Sequence, residues 1–232
     1  MSSSRLIRLS GLAALVGFAV LTVIEIVSVF AFPDTMALSA AAVSNTWFVL
    51  HLLLIITMLL GLLGLLGLYA RQAEQTGVPG LIGVLMSFFG LALFFAWEWS
   101  ETFIWPVLAQ ATPHLVDHPD LNLLMALNAS QSIHWLLFGA GLILFGVATL
   151  RAGVLPRGAA VLVLVGAVVT LVVNGVGVPV PEASILGFLL GLLSLLVAPG
   201  LAWMGYAVWS QPSAAAKPFA SMAASGPVLT GH

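Results

Sequence analysis

The 232-residue chain has no cysteine, six lysines and arginines in all, and only 6% charged residues. Without cysteine there are no disulfides, no thiolate metal sites, no cysteine-held iron–sulfur cluster and no cysteine nucleophile. Six scattered basic residues form no stripe that could follow a phosphate backbone, so nucleic-acid recognition is set aside. The sequence also lacks a GxxxxGK[ST] phosphate loop, the metal motifs HExxH and ExxH, and a GxSxG nucleophile elbow.

What is present is apolar. Hydrophobic residues make up 61% of the chain and the mean hydropathy is +1.18, more than one water-soluble core can hide. The pattern predicts an all-α integral membrane protein with six transmembrane helices in an up-down bundle. Apolar runs near the length that spans a bilayer fall at about 8–32, 46–70, 78–105, 131–150, 158–178 and 183–209. Residues 1–211 form the membrane domain, and 212–232, rich in Ala, Ser and Pro, read as a flexible cytoplasmic tail. The opening "MSSSRLIRLSGLAALVGFAV" has a longer apolar run than a signal peptide and reads as a retained first helix. The lipid bilayer is the expected partner, together with other membrane subunits if the chain joins a complex.

Charge placement gives the orientation, because Lys and Arg collect on the cytoplasmic side of short loops. With the N-terminus inside, Arg5, Arg8, Arg71, Arg151, Arg157 and Lys217 all fall on that side. Asp34, Asp117, Asp120 and Glu182 fall in outer loops, Glu25, Glu98 and Glu101 in outer helix halves, and only Glu74 inside. A plasma or inner membrane with both termini cytoplasmic is expected. The inner loops at 71–80 and 151–158 are compact turns, whereas the outer segments 33–45 and 106–130 have room for short interfacial helices or an outward extension of the next helix.

A weak repeat of three hairpins runs through the chain. Glu25 lies eight residues before Pro33, Glu98 eight before Pro106, and Asn174 seven before Pro181. The first two hairpins continue through "PD" to His51 and Arg71, and through "PD" to His134 and Arg151. At 1.5 Å per residue this register puts Glu25 and Glu98 in one outer layer. His51 and His134 enter from the same side, and Glu101, one turn beyond Glu98, shares its face.

A carboxylate in hydrocarbon costs on the order of 2.5–3.5 kcal/mol and normally faces a partner or cavity. No Lys or Arg lies in the outer half to be that partner, which leaves histidinium, a proton or a metal cation. Imidazole and carboxylate together suit a transition metal such as zinc or iron. The candidate metal ligands are therefore Glu25, His51, Glu98, Glu101 and His134. Glu101 is also readable as a solvated helix end, and His114, Asp117 and His118 as a solvated surface loop. Trp47, Trp97, Trp99, Trp105 and Trp135 read as an outer aromatic belt, and Pro199 as a kink in the sixth helix.

In outline, His51 and His134 on the second and fourth helices resemble the axial histidines of cytochrome b type bundles. That resemblance implies haem b between the two residues. An acidic outer layer without basic groups for the propionates argues against it.

Two functions from different classes stand. One is an outer-leaflet Glu/His cluster that binds a metal or cofactor or relays protons, as part of a membrane enzyme or redox component. The other is a non-catalytic helical accessory subunit on a larger membrane complex. Under either, a protease-accessible tag placed after Lys217 is expected to be reached only from the cytoplasmic side; cleavage from outside would invert the orientation and move the cluster to the inner leaflet.

Overall fold

The computed structural model describes residues 3–33, 35–178 and 185–211. Asp34, Pro181, Glu182, Lys217 and the tail from 212 lie outside these residues. All regular structure among the described residues is helical: α1 (Ser3–Ala31), α2 (Leu38–Ala42), α3 (Asn45–Phe103), α4 (Trp105–Ala111), α5 (Pro113–Asp117), α6 (Leu121–Ala152), α7 (Arg157–Thr170), α8 (Ile185–Ser194) and α9 (Val197–Trp209). Five stretches are long and apolar enough to cross a membrane: Ser4–Ala31, Asn45–Ala111, Leu121–Ala152, Arg157–Gly175 and Ile185–Trp209. The protein is a helical membrane bundle.

α3 carries the decisive bend. Its 59 residues would make a straight rod about 90 Å long, three times the thickness of a bilayer core. Gly77 interrupts it with φ 57 and ψ −154, a conformation that favours glycine, and Pro79 follows in the first turn of the second limb, where a missing N–H is tolerated. The chain folds back there. Trp47 reaches Glu101, and Gly61 lies against Leu91, so the limbs 45–76 and 78–103 run antiparallel.

Other boundaries differ from the sequence expectation for local reasons. α6 begins at Leu121 rather than 131, because the Asp120 carboxylate caps it by accepting from the Leu123 N–H at 2.8 Å. The outer segment 106–130 thus contains both α4 and α5 and an outward extension of α6. The expected helix at 158–178 ends as α-helix at Thr170 and continues as a π-helical turn, Leu171–Gly175. The expected helix at 183–209 is divided at 195–196, where Pro199 has no N–H to donate to the Leu195 carbonyl.

α1 packs against α3 and α9, α3 against α6, and α7 against α6 and α9, so the bundle closes on itself. A close seam joins α3 to α6: a Cβ on Gly90 would strike the Phe138 backbone, and one on Gly141 the Ser87 backbone. Small residues at such seams let helix backbones meet where lipid supplies no hydrophobic drive. Phe18, Met58, Leu65, Leu91, Leu142 and Phe145 fill the centre. Towards the Gly77 end, buried Gln72 donates to Thr149 Oγ1 at 2.8 Å across α3 and α6.

At the end of the bundle away from Gly77, α2, α4 and α5 form a small cap over Trp47, with Ala41, Ala42, Ala109 and Val116 buried beneath it. Asp117 clamps this cap. Its Oδ1 accepts from the Ser39 N–H and its Oδ2 from the Ser39 hydroxyl, both at 2.8 Å. The Ser39 backbone bond first, then its hydroxyl bond, hold the Asp117 carboxyl below its usual range, and His118 and His114 add to this. A carboxylate with a depressed folded-state value stabilises above its unfolded pKa, about 3.9, and loses that contribution as pH falls through the folded value. Amide exchange over α2 and α5 is therefore expected to be insensitive to Asp117 between pH 7 and 5 and to rise only below about pH 4. Asp117→Asn should raise it already at neutral pH; unchanged exchange in that variant would show that the clamp does not hold the cap.

Candidate outer-leaflet Glu/His centre

The hairpin at Gly77 brings residues about fifty positions apart into contact. Trp47, in the first turns of α3, donates its indole Nε1–H to the Glu101 carbonyl at 2.8 Å. One turn deeper, His51 stacks on Trp47 with ring centroids 4.0 Å apart and sets its Nδ1 2.8 Å from the Trp47 carbonyl. That oxygen only accepts, so Nδ1 carries the hydrogen and Nε2 faces the opposite limb. His51 Nε2 meets Glu101 Oε2 at 2.9 Å. The contact ties the two limbs of α3 together across the hairpin.

Glu98 lies one turn further in. It is 3% exposed, and its Oε2 has no hydrogen-bond partner among the described residues. His51, Glu98 and Glu101 each offer a ligand atom, and these three atoms lie within 4.8 Å of one another. Glu25 comes from α1 towards the same region and lines the same cavity as Glu98 and Glu101.

Glu25, Glu98 and Glu101 line a cavity of about 820 Å³. Asn174, which the hairpin register aligns with Glu25 and Glu98, lines it too. A second cavity of about 640 Å³ lies beneath the outer cap and shares Trp97, Glu101, Asn128 and Gln131 with the first.

The remaining candidates are placed elsewhere. His134 is 1% exposed and stacks on Phe94 with ring centroids 4.8 Å apart. Its ring bonds the Ser130 backbone, and its Nε2 has no partner among the described residues. It is not in the three-residue group and does not line the large cavity. A haem b held between His51 and His134 would need both Nε2 atoms on one open slot, whereas His51 presents its Nε2 to Glu101. Asp117 spends both oxygens on Ser39, which leaves His114 and His118 without a free carboxylate there.

Sequence reading placed Trp47 in the outer aromatic belt; it is buried and contacts both His51 and Glu101. Its spacing of four from His51 was the available signal. Asn128 and Gln131 were not among the expected site residues: Asn128 lies in the outward extension of α6, one of two readings for 106–130, and Gln131 is the first residue of the expected helix at 131–150. Compared with known proteins, the chain matches no family model, no curated protein and no solved structure.

Proposed function

We propose that this is a six-span membrane protein, folded as three hairpins with both termini inside, that binds a divalent transition metal in its outer leaflet through His51, Glu98 and Glu101. The reading is carried by the buried Glu98 carboxyl, which has an unpartnered oxygen beside the His51–Glu101 pair in a layer without Lys or Arg. A purely packing role as an accessory subunit gives that oxygen nothing to do.

Charge and donor type agree. A neutral imidazole with two carboxylates carries two negative charges, which a divalent ion balances within the apolar bundle. Such a donor set suits zinc, iron(II) or manganese(II). The Trp47 carbonyl fixes the His51 tautomer that leaves Nε2 for the metal, a supporting contact of the kind that orients ligating histidines. The ion would enter where His51 and Glu101 now contact each other, and binding to such ligands is coupled to proton release. Three protein ligands leave a further position for water or a substrate group, and the cavity lies on the Glu98 and Glu101 side.

Zinc titration of the detergent-purified protein, followed by calorimetry and metal content, is expected to give one ion per chain. His51→Ala and Glu98→Gln should each weaken binding at least about tenfold, while Glu74→Gln, at an exposed inner position, should not. Without metal, Glu98→Gln should melt at the same temperature or higher, because a neutral isostere replaces a buried acid. Wild-type zinc binding in both site variants would overturn the assignment.

A further inference from the structure

The large cavity is much bigger than a metal ion needs. About 820 Å³ falls within the roughly 300–1,000 Å³ typical of sites that enclose drug-sized organic molecules. Its walls are divided by chemistry. Phe18, Phe94, Trp97, Trp135 and Phe138 supply aromatic surface, and Glu25, Glu98 and Glu101 supply charge of one sign. No Lys, Arg or His is among the described residues that line it. Glu98 adds the unpartnered oxygen of a side chain that is only 3% exposed.

We infer that this cavity binds an amphiphilic organic monocation of the ammonium class, its head between Glu25 and Glu98 and its apolar body against the aromatic walls. An anion would meet three carboxylates and no compensating base. A neutral apolar molecule would leave the buried Glu98 oxygen without a partner, the costly outcome in a low-dielectric site. A cation with an apolar body removes both problems, and the faces of Trp97 and Trp135 add cation–π attraction. The second cavity, which shares Trp97, Glu101, Asn128 and Gln131, gives the ligand an approach from beneath the outer cap. The two ligands share Glu98 and are told apart by the residue each has to itself: His51 belongs to the metal set and does not line the cavity, whereas Glu25 lines the cavity and lies outside that set.

The test uses tetraphenylphosphonium and tetraphenylborate, ions of nearly equal size and opposite charge, in equilibrium dialysis against the full-length, metal-free protein with empty micelles as blank. Saturable phosphonium binding near one per chain is expected, with none for the borate. Glu25→Gln and Glu98→Gln should weaken phosphonium binding at least about tenfold, whereas Glu25→Asp, which keeps the charge, should stay within about threefold. Glu25→Gln should still bind zinc, and His51→Ala should lose zinc yet keep the phosphonium, so the two sites fail separately. If Glu98→Gln does not purify as a monodisperse protein, the Glu25 pair decides. Equal saturation by the borate, or wild-type phosphonium binding in Glu25→Gln, would overturn the proposal.

Discussion

Acidic side chains buried in an apolar bundle, with no Lys or Arg paired to them among the described residues, are the constraint around which this protein is organised. Glu98 is almost fully enclosed, and the six basic residues lie in segments read as cytoplasmic. A carboxylate so placed is expensive unless something positive is supplied. Among the described residues His51 is the one basic group in the cluster, and it pairs with Glu101, leaving an oxygen of Glu98 unpartnered. That oxygen is what a proton or a bound cation would satisfy.

Everything that builds the site follows from the reversal at Gly77. That single left-handed residue lays residues 45–76 of α3 against 78–103, so that Trp47 and His51 face Glu98 and Glu101. The backbone-close seam between α3 and α6 fixes the second limb from behind. α1 and α6 complete the cavity by contributing Glu25, Asn128 and Gln131. The cap, clamped by Asp117 and Ser39, rests on the same Trp47 that positions the histidine. Cap and centre are thus mechanically joined through one indole.

Depth along the helices was legible in the sequence, and direction around them was not. Counting residues from Pro33 and Pro106 put Glu25 and Glu98 in one layer, and both line the same cavity. Counting one turn separated Glu98 from Glu101, and the structure places Glu98 as the more enclosed of the two. The same counting gave His134 the depth of His51, yet His134 turns to Phe94 while its neighbour Trp135 faces the cavity. Helices that are apolar on every side carry no stripe to show which face meets the core. The start of α6 was missed for a related reason. Hydropathy reports the bilayer, and the Asp120 cap lies outside it.

The most direct test of the metal centre is the zinc K-edge absorption spectrum of the loaded protein, since it counts ligand types rather than binding strength. One imidazole at about 2.0–2.1 Å together with carboxylate oxygens at about 2.0–2.2 Å is the expected first shell. A shell of oxygens without imidazole would remove His51 from the site, and two imidazoles would bring in a histidine that the fold holds apart; either result would contradict the assignment to His51, Glu98 and Glu101.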